Sequence, residues 1–178
     1  LYDPAYQVFK QKFERIKTIK SILFEGLCSP VRKDVSVIWD WGPHPVSLLL
    51  DLIKQPIIEV SATGSIKNPN SNLYDTVNAL IRFANGIEAS IHISWLGSHK
   101  VRKLTIERKS RKMELDYTKT TGSALTKELI EFVEAIQGLK KITSDINFGV
   151  SVIKVLSAME SSAQSGGRPV QLSQFTRS

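Results

Sequence analysis

Two alternating segments joined by Asn85-Gly86 constrain the fold more than any other feature of the sequence. Along residues 75–84 and 87–96 one parity is apolar: Val77, Ala79, Ile81, Phe83, Ile87, Ala89, Ile91, Ile93 and Trp95. The other parity carries Asn78, Arg82, Glu88, Ser90, His92 and Ser94. A period of two predicts strands with one buried and one polar face. Because Asn-Gly tolerates positive φ, the pair predicts a hairpin with a type I′ turn.

Strands and helices in the rest of the chain extend this hairpin into a larger fold. Strands are predicted over 17–27, 57–66, 101–108, 112–117 and 169–172, and helices over 4–15, 45–54, 125–136 and 147–165. Strands that follow one another as hairpins, with helices towards the chain ends, are typical of α+β proteins. We therefore expect residues 1–178 to form a single domain. Its large, mainly antiparallel but mixed sheet would pack helices on one face and leave the other available for oligomerisation.

Composition narrows the classes of function. Cys28 is the single cysteine, which excludes an internal disulfide and a cysteine-based zinc site. The lone cysteine favours a reducing compartment, so we expect a cytoplasmic protein. No apolar run reaches the length of a membrane span, so we expect no membrane partner. The net charge of +7 raises nucleic acid as a partner. The densest basic segment, 100–112, has no interleaved aromatic residues, so we interpret it as a solvated strand pair and expect no nucleic-acid partner.

The segment 39–45 is the candidate for chemistry, because it combines an acid, an imidazole, two tryptophans, a glycine and two prolines. Pro45 suits the first position of the following helix. A residue before proline is disfavoured in the α region, which predicts His44 at the N-cap, outside the helix. Gly42 would let the chain turn. We expect Asp40 and His44 on a tight loop at the positive end of a helix, with simple capping and bridging of a turn as the alternative.

The chemistry of these side chains suits proton transfer. An imidazole titrates near pH 6.5, and a helix N-terminus disfavours its protonated form, so His44 is predicted to be a neutral acid/base. Asp40 would orient the ring or hold a substrate hydroxyl. Trp39 and Trp41 are candidates to stack on a sugar ring, with packing under the loop as the alternative. His99, at a strand end, is a further substrate-binding candidate. Two ligands are too few for a metal, so none is expected.

Two basic residues, Lys100 and Arg102, lie at the start of the strand predicted over 101–108, with Lys100 just before it. We interpret both as solvent-exposed, with contact to a substrate anion as the alternative.

Four motifs in order resemble the Gfo/Idh/MocA oxidoreductases. Residues 40–44 resemble the family's Asp-x-Gly-x-His stretch, and residues 79–95 its F-x-N-G and S-W hairpin. Residues 125–136 resemble its L-x-x-E-L-x-x-F-x-x-A-I helix, and residues 157–170 its closing helix and strand. Two positions depart from the family pattern. Ser47 replaces a frequent acid, and residues 109–112 replace a glycine-rich turn.

The resemblance implies the C-terminal, substrate-binding half of an NAD(P)-dependent dehydrogenase acting on a sugar, polyol or related hydroxy compound by hydride transfer. It gives His44 the acid/base role and Asp40 a binding or orienting role. NAD or NADP would bind mainly to an N-terminal Rossmann domain, because this chain has no G-x-G-x-x-G motif. The family's catalytic lysine would also lie upstream of Leu1, so the chain alone is expected to be inactive and without cofactor.

The resemblance also implies an assembly. We expect a homodimer or a higher oligomer formed through the polar sheet face. A non-catalytic interaction module that uses this face is the alternative function.

Overall fold

A seven-stranded sheet forms the middle of the molecule. The structure, a computed structural model, describes residues 1–16, 18–67, 70–109, 111–119 and 123–172. The strands are β1 (Ser21–Leu27), β2 (Ile57–Ser65), β3 (Thr76–Phe83), β4 (Glu88–Ser94), β5 (Val101–Arg108), β6 (Arg111–Asp116) and β7 (Val170–Gln171). They lie in the order β6-β5-β1-β4-β3-β2-β7. Strands β1 and β4 pair in parallel and the other neighbours are antiparallel, which confirms a mixed, mainly antiparallel α+β sheet.

In the described part of the chain, five helices and a short 3₁₀ turn over Tyr117–Lys119 accompany the sheet. The helices are α1 (Pro4–Phe13), α2 (Val37–Trp41), α3 (Pro43–Leu52), α4 (Ala124–Ile136) and α5 (Ile146–Gln164). Asp3 caps α1, since its carboxylate accepts hydrogen bonds from the backbone N–H groups of Ala5 and Tyr6. Gly138 and Gly166 follow α4 and α5 at φ of 72° and 67°, as expected of residues beyond a helix C-terminus.

One face of the sheet forms the core together with the helices. The apolar parity of the central hairpin is buried there, as the alternation predicts, and Ile22, Phe24, Leu104 and Ile106 continue it across β1 and β5. Tyr6, Phe9 and Phe13 of α1, and Val152, Leu156 and Met159 of α5, belong to the same core. Burial of this continuous apolar layer is the main stabilising contribution to the fold.

The turn at Asn85-Gly86 differs from the predicted type I′ turn. Gly86 has a φ of 83°, and no described residue other than glycine has a positive φ. The backbone N–H of Gly86 donates to the carbonyl of Phe83, and that of Phe83 donates to the carbonyl of Ile87. This pattern is a type I turn followed by a glycine bulge. A three-residue loop of this kind needs a single positive φ, and glycine supplies it without strain.

The opposite face of the sheet carries mainly polar side chains, with Leu23 and Leu80 among them, and remains accessible to solvent. Arg82 forms ion pairs with Glu59 at 2.6 Å and with Glu88 at 2.9 Å, and His92 hydrogen-bonds to Asn78 at 2.7 Å. Ser94 does not join this surface, contrary to the alternation. It is buried, and its hydroxyl forms a hydrogen bond of 2.6 Å with that of Thr76 and accepts one of 3.0 Å from the backbone N–H of Leu96.

Helix α4 presents its apolar side to solvent. Leu125, Leu129, Phe132 and Ile136 are 65%, 56%, 51% and 71% exposed. Glu131 on the same helix is buried and accepts hydrogen bonds from Thr143 and Tyr2. An apolar helix face left in water is typical of a surface that another element covers.

No helix within the described part of the chain is both long enough and apolar enough to cross a membrane.

Candidate active site

Residues 37–52 form a nearly continuous helical segment that carries the candidate catalytic pair. Gly42 joins α2 to α3 with helical φ and ψ of −55° and −35°. Its N–H donates to the carbonyl of Ile38 at 3.0 Å, and its own carbonyl accepts from the N–H of Val46 at 3.2 Å. Pro43 and Pro45 have no N–H, so two helical hydrogen bonds cannot form, and the segment divides into two helices at this point.

This geometry corrects the predicted loop. Asp40 lies on α2, and α3 begins at Pro43, which places His44 within its first turn. Both prolines are accommodated because the first N–H groups of a helix lack partners in any case. Burial of α3 against the core outweighs the steric bias on the residue before Pro45. Asp40 and His44 are therefore one helical turn apart.

Gly42 also has a different role from the predicted one. Its φ is negative, so it does not provide a left-handed turn. A Cβ at this position would collide with the backbone carbonyl of Ile38 and approach Cδ2 of Leu156 to 2.6 Å. The glycine instead allows α5 to pack closely against the helical segment.

His44 lines a pocket of about 770 Å³ between α3, α5 and the start of β5. Trp39, Ser47, Arg102 and Phe148 line the same pocket. The His44 ring keeps solvent-exposed surface, and desolvation of the remainder lowers its pKa. The charge of Arg102 lowers that pKa further, whereas the carboxylate of Asp40 raises it. The net direction is downward, so the imidazole is neutral at pH 7 and can accept a proton.

Asp40 is held by two partners. Its Oδ1 accepts from Nη1 of Arg32 at 2.9 Å, and its Oδ2 accepts from Nε1 of Trp95 at 3.3 Å. Arg32 also pairs with Asp34 at 2.6 Å. These contacts tie the end of β4 and the loop before α2 to the carboxylate one turn before His44.

The three substrate-binding candidates occupy different places. Trp39 lines the pocket, and its Nε1 donates to Glu160 on α5 at 3.0 Å. Trp41 is 5% exposed and meets the His44 ring edge-on, with centroids 6.3 Å apart. His99 is exposed, contacts Ser98 at 3.0 Å and is not among the described residues that line the pocket. The structure therefore brings His44, Trp39 and Trp41 together and leaves His99 apart.

Two arginines near the site were not expected there. Arg102 lines the pocket, although the sequence favours solvent exposure for it. Arg102 alternates in step with Leu104 and Ile106, which are buried, and this spacing could have indicated that its side chain faces inward. The contact between Arg32 and Asp40 depends on how a loop folds back, and no pattern in the sequence indicates it.

The described residues offer little for a metal or a dinucleotide. Within them, no group of three or more His, Cys, Asp or Glu side chains is arranged to hold a metal ion. The one parallel strand pair described, β1 with β4, is not joined by a single crossover helix, so the described chain contains no βαβ nucleotide-binding unit. NAD or NADP does not fit these residues alone.

Comparisons with solved structures identify the same fold elsewhere. A myo-inositol dehydrogenase from Corynebacterium glutamicum superposes with a TM-score of 0.81 at 20% identity, over 96% of this chain and 62% of its own. The WlbA dehydrogenase from Bordetella pertussis, solved with NADH and UDP-GlcNAcA, gives a TM-score of 0.80 at 18% identity, over 95% and 60%. UDP-N-acetylglucosamine 3-dehydrogenase GnnA from Acidithiobacillus ferrooxidans gives a TM-score of 0.78 at 20% identity, over 92% of this chain and 59% of its own. The chain thus spans about three fifths of these proteins.

Comparisons of sequence assign the family. A search of curated protein sequences finds no match. The family model described as the GFO/IDH/MocA C-terminal domain matches residues 29–118, which include α2, α3, the central hairpin and β5. With a match over half of the sequence and the same fold in solved dehydrogenases, the chain belongs to the GFO/IDH/MocA family and contains its C-terminal domain.

Proposed function

We propose that the chain is the substrate-binding part of an NAD(P)-dependent oxidoreductase that acts on a sugar, polyol or related hydroxy compound. The observation that carries this proposal is a neutral, partly exposed His44 in the first turn of α3, facing a pocket of about 770 Å³. Oxidation of a secondary alcohol requires a base for the hydroxyl proton, and a neutral imidazole in such a pocket is suited to that step.

His44 would take the hydroxyl proton at one ring nitrogen when the substrate is oxidised and return it in the reverse direction. Asp40 would stabilise the resulting imidazolium, since its negative charge already raises the His44 pKa. Arg32 and Trp95 keep Asp40 in place, which lowers the cost of arranging this charge during the reaction.

The tryptophans would divide between binding and positioning. Trp39 lines the pocket and is tethered to Glu160, so its ring can contact an apolar face of a sugar. Trp41 is buried against His44 and would hold the imidazole in position. His99 would act only at the rim, with a substrate that extends beyond the pocket.

The cofactor would be NAD or NADP, which supplies the hydride acceptor or donor when bound. We assign it to a nucleotide-binding domain of the same polypeptide that covers the apolar face of α4. That face is exposed, and α4 also borders the pocket through Ala124 and Glu128. About two fifths of the length of each solved dehydrogenase lies outside the part that the chain matches, which is room for such a domain.

The full-length protein provides the test. Turnover of myo-inositol and of UDP-N-acetylglucosamine with NAD or NADP is followed by the absorbance of the reduced cofactor. In His44→Gln, kcat should fall about 10²–10⁴-fold, while affinity for the dinucleotide stays unchanged. His92→Gln, which removes an imidazole from the open sheet face, is the matched control and should retain activity. Undiminished turnover in His44→Gln would exclude the acid/base role.

A second candidate function, assembly through the open sheet face, is favoured by one observation. Seven strands share a polar face whose side chains Asn78, Arg82 and Ser90 remain accessible. Light scattering on the chain should then report a dimer or larger species, and Ser90→Arg should dissociate it. Asn72→Arg adds the same charge in an exposed loop and should not. A strictly monomeric wild-type chain would refute this candidate.

A further inference from the structure

Arg102 occupies an inward-facing position of the sheet. It pairs with Gly26 in the register between β5 and β1, and it shares its parity with Leu104 and Ile106, both fully buried. A strand position of this parity points towards the helices and not towards the open face. The guanidinium therefore enters the space between the sheet and α3, where the pocket lies.

Trp41 fixes the guanidinium in that space. The central carbon of the Arg102 guanidinium lies 4.9 Å from the centre of the Trp41 ring. Trp41 can lie there because Gly26 has no side chain, since a Cβ at Gly26 would lie 2.5 Å from Cε3 of the indole. The same indole meets His44 edge-on at 6.3 Å. One buried ring thus holds a cation and the candidate base next to each other.

The charge of Arg102 is not compensated within the described chain. No described carboxylate forms an ion pair with it, and its Nε is inaccessible to solvent and without a hydrogen-bond partner among the described groups. A cation–π contact stabilises the charge but leaves the buried Nε–H without an acceptor. A half-buried guanidinium without a counter-charge is destabilising unless a ligand provides one.

The acids of the pocket do not serve as that counter-charge. Asp3 is engaged in capping α1, and Glu128 belongs to an exposed stretch of α4. Much of the remaining lining, including Phe24, Leu48 and Leu156, is apolar. The pocket therefore offers a fixed cation beside a neutral imidazole, within a largely apolar lining.

We infer that Arg102 binds an anionic group of the substrate, a carboxylate or a phosphate, and so selects an acidic sugar over a neutral polyol. Arginine presents a planar pair of donors that matches either group in bidentate geometry. The anion would anchor one end of the sugar ring at Arg102 while a hydroxyl faces His44. This inference rests on the proposed function, since it gives the substrate class of the same pocket.

Calorimetric titration of the chain tests the inference without cofactor or turnover. The probes are D-glucuronate, D-glucose 6-phosphate, neutral D-glucose and inorganic pyrophosphate. One of the two acidic sugars should bind at least about tenfold more tightly than glucose, and the tighter of the two identifies the anion. Arg102→Gln should remove that preference, and Arg102→Lys should restore part of it.

Matched variants separate binding from folding and from bulk charge. Lys100→Gln removes an exposed charge two residues away and should leave the preference intact. Arg102→Gln removes an uncompensated charge, so its melting temperature without ligand should equal or exceed that of the wild type. Equal affinity for glucose and both acidic sugars would overturn the inference, as would equal losses in Arg102→Gln and Lys100→Gln. Tighter binding of pyrophosphate than of either acidic sugar would instead assign Arg102 to a nucleotide and also overturn it.

The outcome is independent of the proposed reaction. Loss of the preference for acidic sugars in Arg102→Gln would support the anion site even if His44→Gln left turnover unchanged. Conversely, a His44-dependent reaction on neutral polyols alone would retain the oxidoreductase and reject the anion site.

Discussion

Nε1 of Trp95 donates a hydrogen bond of 3.3 Å to Oδ2 of Asp40. The bond joins the end of the central hairpin to the helix that carries the candidate pair. Trp95 is 1% exposed, so its N–H requires a partner inside the protein, and Asp40 provides it. This polar contact couples the sheet to the site.

The Asp40 carboxylate should tune the proton affinity of His44. Its charge raises the His44 pKa, against the lowering effects of desolvation and Arg102. Asp40→Asn removes that contribution, so the His44 pKa should fall further below its ordinary value. The His44 pKa is measured by NMR as the midpoint of the pH titration of its ring proton resonances. Asp34→Asn is the control. It also removes an ion-pair partner of Arg32, but the charge of Asp34 does not contribute to the shift of the His44 pKa. A higher midpoint in Asp40→Asn would contradict the proposed coupling.

Gly26→Ala should displace Trp41. The added Cβ would lie 2.5 Å from the indole, and overpacking of this kind costs about 1–3 kcal/mol of unfolding free energy. Urea denaturation followed by tryptophan fluorescence gives the value. Gly149→Ala on α5 is the matched control, because nothing lies within 4 Å of its Cβ position. Because glycine within a helix is less favourable than alanine, Gly149→Ala should stabilise the protein by about 0.5–1 kcal/mol. An unchanged stability in Gly26→Ala would show that Trp41 is not fixed by this contact.

Glu131 should make stability depend on pH in the acid range. Burial alone would raise its pKa, but hydrogen bonds from Thr143, Tyr2 and Lys140 lower it to about 2. Because the folded pKa of Glu131 lies below its ordinary value of 4.5, the stabilisation is complete above pH 4.5 and is lost as pH falls towards 2. Glu131→Gln should cost about 1.5–3 kcal/mol at pH 7 and flatten this dependence.

The free energy of unfolding is measured by chemical denaturation at several pH values from about 2 to about 7. Glu128→Gln, an exposed acid on the same helix, should keep the wild-type profile. A wild-type stability that rises on acidification through this range would contradict the assignment.

Gly86→Ala should test the corrected turn. Gly86 has a φ of 83°, and no atom lies within 4 Å of its Cβ position, so the whole cost is conformational. Left-handed backbone costs other residues about 1–2 kcal/mol, and that loss of unfolding free energy is expected. Gly86→Asn should lose less, since asparagine tolerates this conformation better. Equal losses in both variants would mean that the cost does not arise from φ.

The strands and their faces could be predicted from sequence because a period of two is a local property. Val77 to Phe83 and Ala89 to Ile93 are buried in that pattern, and the edge strand near Val170 was also foreseen. The same local rule failed at Ser94, which is buried and hydrogen-bonded to Thr76 and Leu96. It failed at the turn as well, where Asn85 and Gly86 permit more than one loop length.

The sequence by itself determined a mixed α+β sheet, the residue types of the candidate site and its family resemblance, because alternation, capping and motif order are encoded in near neighbours. Tertiary structure decided the rest. Packing of α3 and α5 outweighed the bias against helix before Pro45, so Asp40 and His44 lie one turn apart. Register of β5 against β1 directed Arg102 inward onto Trp41. These outcomes depend on which distant surfaces meet, and burial energy shared among many residues exceeds the local preference of any one of them.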